Sequence, residues 1–204
     1  MPDVITLASP GNQMSTYEEL YREFLDDRTL VFNDEVGDNV VEDFIMYILK
    51  WNKEDQNLPV DARRKIKIFI SSPGGSTFSA NIMVDVILNS KTPVVGIGLD
   101  LVASAAYSIY LACHERYAFS TTAFLQHEGE MAIENSRSKF KQTVNFFSEV
   151  EERSKDFILS RTNMTEEFYD EVYEQEFWFL SRRGKELGVV HKIIGVDCDL
   201  DEVI

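Results

Sequence analysis

Cationic residues are scarce in this chain. Lys and Arg together number 20 against 35 Asp and Glu, a formal net charge of -15 over 204 residues. A phosphate-backbone binder needs a basic face, so nucleic acid is not an expected partner. Anionic membrane surfaces are disfavoured for the same reason. Cysteine is nearly absent: Cys113 and Cys198 are too few for a disulfide framework, and neither sits in a Cys-x-x-Cys pair that would suggest structural zinc. No stretch reaches the length of apolar run that spans a bilayer, and the opening MPDVITLASPG lacks the basic-then-apolar build of a secretory leader. The expected setting is the cytoplasm. No repeat or low-complexity segment stands out, and 44% hydrophobic with 27% charged residues are globular values that exclude wholesale disorder.

What is present is an alternation of strand and helix patterns. Residues 1–14 read as an arm. Two overlapping capping boxes, Ser15 with Glu18 and Thr16 with Glu19, predict a helix to about Phe24. Thr29-Leu30-Val31-Phe32 is a short β-rich run. Asp38 is placed to cap a long helix whose buried face carries Val40, Val41, Phe44, Ile45, Ile48 and Leu49. Strands are expected at 66–70, 93–98, 116–119, 123–127, near 177–180 and near 189–194. Helices are expected after Gly75 (with Phe78, Ile82, Met83, Val86 and Ile87 on one side), over 101–113, over 138–161, and from a Thr165 cap to Val172. The order predicts an α/β fold with right-handed β-α-β crossovers and a largely parallel sheet. The excursion 128–162 is long enough to project from the body.

Three places carry groups suited to chemistry. Ser71-Ser72-Pro73-Gly74-Gly75 ends a strand, and its glycines let peptide N–H groups approach a ligand; a plain strand-to-helix turn is the alternative. Ser104 lies among small apolar residues at a helix start, as a nucleophile or as an N-cap. His127 ends an apolar strand, whereas His114 sits in a polar turn and His191 beside Lys192 in a structural region. A helix over 104–113 rises roughly 15 Å, and strands return the chain at about 3.3 Å per residue. Ser104 and His127 can therefore share the C-terminal sheet edge with Gly74, where open α/β sheets bind ligands.

In their order and spacing these segments resemble the caseinolytic protease proteolytic subunit family, ClpP. The resemblance is carried by Ser72-Pro73-Gly74-Gly75 after IKIFI, Ala103-Ser104-Ala105-Ala106, the strand ending in His127, the long helix, and Phe179-Leu180-Ser181 followed by KELGVVHKI, over about residues 28–195. It implies a ClpP/crotonase-like β-α-β spiral with a projecting handle (128–162), an N-terminal arm and helix (1–27) and an acidic tail (196–204). It also implies a serine endopeptidase acting on peptides or unfolded proteins: Ser104 as nucleophile, His127 as base, and Gly74 and Ala105 N–H groups as oxyanion hole. Gly75, Glu128, Gly129, Glu130 and Met131 would align the substrate strand. No metal or organic cofactor is implied. The implied partners are copies of the chain in a heptameric ring or stacked rings, and an ATP-driven unfoldase.

The chain departs from the family at several positions. Asp100 stands four residues before the serine where the family has glycine, and Ala106 replaces another glycine. The paired glycines after the histidine give way to Glu128-Gly129-Glu130-Met131. Counting from Glu186-Leu187-Gly188 places the third triad member at Glu176, while counting from Phe179-Leu180-Ser181 places it at Phe177; a glutamate can orient the histidine, so Glu176 is the expected third member, with a solvated acidic residue as the alternative. Lys67 replaces an aromatic of the unfoldase-docking pocket and Phe69 keeps another. These departures leave open a catalytically silent ring subunit. An acyl-CoA enzyme of the crotonase fold is a further alternative, weakened by the lack of a basic cluster for the CoA phosphates. Charge is unevenly distributed: net -9 over 1–60, +2 over 61–127 and -8 over 128–204. An assembly of such subunits is expected to respond to ionic strength.

Overall fold

The computed structural model describes residues 15–129 and 136–204; the arm 1–14, Glu130 and Met131 lie outside them. Helix α1, Thr16–Asp26, starts with the capping box of Ser15 and Glu18. Strand β1, Thr29–Phe32, follows. A π-helical turn, Val41–Ile45, runs into α2, Met46–Glu54. Asp38 caps neither; its carboxylate accepts a 3.4 Å hydrogen bond from the Ser79 hydroxyl. The expected buried face is correct at Val40, Phe44, Ile45 and Ile48, but Val41 and Leu49 are exposed. The irregular π turn shifts the phase of the helix, so a 3.6-residue period cannot hold across it.

The next unit is β2, Ile66–Ser72, then α3, Thr77–Asn89, and β3, Val94–Ala103. After it come α4, Ala105–Ala112, β4, Glu115–Phe119, and β5, Ala123–Gln126. Strands β1, β2, β3 and β4 pair in parallel in that order. β3 forks. Its first half pairs with β4 from Val95 to Gly98, and its second half pairs with β5 from Leu101 to Ala103. The helix expected over 101–113 therefore begins only after Ser104.

The remaining elements are α5, Arg137–Arg161, α6, Glu166–Tyr173, β6, Phe177–Leu180, α7, Ser181–Glu186, and β7, Lys192–Ile194. Strand β7 joins β4 in parallel, and β6 pairs antiparallel with β5. The alternation of β2 explains its setting: Ile66, Ile68 and Ile70 are fully buried against the helices, while Lys67 and Phe69 face the other side. On that other side Val203, at the end of the C-terminal turn, packs with Val95, Ile97, Ile194 and Cys198. Helix α5 projects as a mostly exposed rod. It is held to α3 by Phe146 and Phe147 against Phe78, with ring centroids 6.4 and 6.1 Å apart, and by an Arg153–Asp85 ion pair at 2.9 Å. Phe78 and Ile82, expected inside, are exposed; Phe78 looks toward α5, a second neighbour of α3. The fold is mixed α/β with a largely parallel sheet, as the strand and helix order predicts, and α5 extends from its body.

Candidate active site

The C-terminal ends of β2, β3 and β5 converge. Ser104 occupies the single residue between β3 and α4, with φ 54° and ψ -124°. That region is sparsely populated by side-chain-bearing residues, and holding one there costs on the order of 1–3 kcal/mol. The surroundings fix it: Ser104 N–H donates to Leu125 C=O at 2.9 Å, and Tyr107 N–H donates to Ser104 C=O at 3.0 Å. Such a sharp strand-to-helix turn pushes the hydroxyl out of the sheet. It lies 2.8 Å from Nε2 of His127, the residue after β5.

Gly74 and Gly75 follow β2 with φ of 97° and 143°. A Cβ on Gly74 would stand 2.6 Å from Ser104 Cβ and 2.9 Å from Ala105 N, so only glycine admits this approach. Ala105 N–H opens α4 and is among the first-turn donors that no helical carbonyl can reach. Gly74 N–H instead donates to Ser72 Oγ at 3.2 Å. Gly75 forms a parallel bridge with Val36, so one edge of this segment is already paired within the chain. Glu128 and Gly129 are exposed, and a Cβ on Gly129 would meet nothing within 4 Å.

Glu176 is exposed, and its carboxylate accepts a 3.2 Å hydrogen bond from the Trp178 indole. The β5–β6 register ends with Gln126 across from Phe177; continued by one residue it would bring Glu176 across from His127. Opposed residues in an antiparallel pair have Cα atoms about 4.5–5.5 Å apart with side chains on one face. Among the described residues, His127 Nδ1 has no hydrogen-bond partner. Phe177, the other position reached by counting, packs with Phe168 and Phe179. Asp100 accepts from the Ser71 hydroxyl and from Leu101 N–H at 2.8 Å, which holds its carboxyl below the usual range.

The other candidates for chemistry serve the frame. His114 Nδ1 accepts from Val94 N–H at 3.1 Å and His191 Nδ1 from Arg116 N–H at 3.2 Å, each pinning the start of a strand. Burial raises the Cys113 thiol to about 12, which removes it as a nucleophile. Ser72 and Trp178, the partners of Gly74 and Glu176, were not anticipated; a single sequence carries no signal for either contact.

A hydroxyl held on a strained turn, a histidine in hydrogen-bond contact and a glycine-lined approach on an α/β sheet edge are the parts of a serine-nucleophile hydrolase site. The family model of the Clp protease matches residues 12–197. The chain belongs to the Clp protease family. It is 21% identical over 196 residues to the ATP-dependent Clp protease proteolytic subunit 2 of Corynebacterium diphtheriae, covering 95% of this chain and 96% of that one. It is 24% identical over 193 residues to the corresponding subunit 2 of Treponema denticola, covering 94% of each. Against subunit 2 of Pseudomonas aeruginosa it is 30% identical over 131 residues, 63% of this chain and 65% of that one. A solved ClpP1 mutant from Listeria monocytogenes superposes with a TM-score of 0.75 at 24% identity, covering 91% of this chain and 99% of that one. Among the described residues no helix is long and apolar enough to cross a membrane.

Proposed function

We propose that this chain is a serine endopeptidase of the ClpP type, cutting peptides and unfolded proteins inside a ring-shaped chamber. The observation that carries the reading is the 2.8 Å contact of Ser104 Oγ with His127 Nε2 beside Gly74. Residues 28–195 are the peptidase domain, with the excursion 128–162 as the handle between rings. An extended peptide pairs with the backbone after His127. His127 takes the Ser104 proton as Oγ attacks the carbonyl. The tetrahedral oxyanion settles between Ala105 N–H and Gly74 N–H, the latter exchanging its bond to Ser72 for one to the substrate. Removing one such donor typically costs about 2.7–4 kcal/mol of barrier. His127 then protonates the leaving amine, and a water activated by His127 hydrolyses the acyl-enzyme. Glu176, once released from Trp178, is the carboxylate that orients His127. An ATP-driven unfoldase is the proposed supplier of substrate.

A fluorophosphonate probe tests the assignment. Labelling of the purified chain that disappears in Ser104→Ala supports it, and stoichiometric labelling that persists in Ser104→Ala refutes it. A second reading, a silent ring subunit, is favoured by one observation: His127 Nδ1 has no carboxylate partner among the described residues. Peptide cleavage by the purified chain, lost in His127→Ala, rejects that second reading.

A further inference from the structure

Ser72 sits where the alternation of β2 sends a side chain inward. Ile66, Ile68 and Ile70 share that face, and Ser72 is 1% exposed. A hydroxyl buried there needs a partner. Pro73 carries no N–H, so the first donor after Ser72 belongs to Gly74, and Ser72 Oγ accepts from it at 3.2 Å. Among the described residues the Ser72 side chain makes no other hydrogen bond. The glycine segment is anchored on its other side: Val36 N–H donates to Gly74 C=O at 2.7 Å, and Ser76 N–H donates to Val36 C=O at 2.8 Å.

The two donors assigned to the oxyanion therefore differ in the free chain. Ala105 N–H has no acceptor among the described residues, whereas Gly74 N–H already has one. A neutral peptide carbonyl arriving at Gly74 replaces one neutral acceptor by another and gains little. An oxyanion gains more, because a hydrogen bond to an ionised acceptor is about twice as strong as a neutral one.

Resting on the reading of Gly74 and Ala105 as oxyanion donors, the geometry points to Ser72 as a positioning residue that withholds the Gly74 N–H from the bound substrate and yields it to the transition state. Ser72 acts through Gly74 and touches no reacting atom. Without its hydroxyl the N–H is unpaired before substrate arrives, so the carbonyl and the oxyanion both gain one further bond. That is uniform binding, which lowers KM and leaves kcat alone. One hydrogen bond of this kind shifts an equilibrium about two- to tenfold. A serine that merely braced the loop would act with the opposite sign, since its loss would weaken binding and slow acylation.

The test is steady-state cleavage of a fluorogenic peptide by the full chain. Ser72→Ala should lower KM about two- to tenfold with kcat unchanged, and fluorophosphonate labelling should quicken by the same factor. Ser72→Cys keeps the volume and offers only a weak acceptor, so it should fall between the two. It carries the test if Ser72→Ala does not fold. Ser90→Ala removes another buried hydroxyl, which donates to Thr92 C=O at 2.6 Å ahead of β3, and should leave KM and kcat as they are. A KM that is unchanged or raised in Ser72→Ala, or an equal fall in Ser90→Ala, overturns the inference. Cleavage that needs Ser104 but shows no fall in KM sinks the role of Ser72 alone. Absence of both cleavage and labelling in every form sinks the reading of the site, and the inference with it.

Discussion

Replacing Gly74 by alanine probes the site with a single methyl group. Two costs can be separated. The first is backbone strain, because φ is 97° at Gly74 and an L side chain there costs about 1–2 kcal/mol. The second is collision. The new Cβ would sit 2.6 Å from Ser104 Cβ and 2.7 Å from Ala103 O, against an ordinary carbon–carbon separation of about 3.5–4.0 Å. Relief requires movement of about 1 Å between the glycine segment and Ser104, and a displacement of that size costs about 10²-fold in rate. Gly195→Ala is the control: φ is 81°, yet a Cβ there meets nothing within 4 Å. Both variants should melt lower, by about 2–4 °C per kcal/mol for a chain of this size. Only Gly74→Ala should slow acylation by a fluorophosphonate, by about 10²-fold or more. Acylation at the unsubstituted rate in folded Gly74→Ala, or an equal slowing in Gly195→Ala, would refute the proposed geometry.

Other perturbations address the frame. Arg28 is buried at the head of β1 and holds both Asp55 carboxylate oxygens, at 2.5 and 2.9 Å. Asp55→Ala removes its bidentate partner and leaves Arg28 with Glu54 at 3.3 Å and the Arg64 carbonyl at 3.2 Å, so it should cost about 1–3 kcal/mol in urea unfolding. The same ion pair holds the Asp55 carboxyl below its usual range, so its stabilisation is complete above about pH 3.9 and is lost as pH falls through the lower folded value. His191 is pushed down to about 4 by burial and by Arg116 and Arg161. Its neutral form is the native one, so stability is full above about pH 6.5 and declines toward pH 4. His191→Gln should flatten that decline in urea midpoints measured at pH 7 and pH 5. Sedimentation at low and high salt should show larger assemblies at high salt, because screening lets subunits of net charge -15 approach.

Much of the architecture was legible in residues. IKIFI alternates and becomes β2, Thr165 caps α6, and the Ser15–Glu18 box opens α1. The run 101–113 was not legible in the same way. An unbroken series of small apolar residues fits a buried helix and a buried strand equally, and its first three residues belong to β3. Faces failed where a helix meets two neighbours: Phe78 was expected inside but looks toward α5. At the site, Gly74, Ser104 and His127 could be brought to one edge by rise per residue alone. The surroundings of Glu176 could not, because the rotamer that sends its carboxylate to Trp178 is set by three-dimensional contacts. Equally hidden was Gln126, buried beside His127 with neither side-chain polar atom satisfied.

Peptide hydrolysis by the purified chain, with Ser104→Ala and His127→Ala in parallel, is the most direct test of the central claim. The account predicts cleavage by the chain and its loss in both variants, with folding retained. Cleavage that survives either substitution, or a folded and assembled chain that cleaves no peptide, would contradict it.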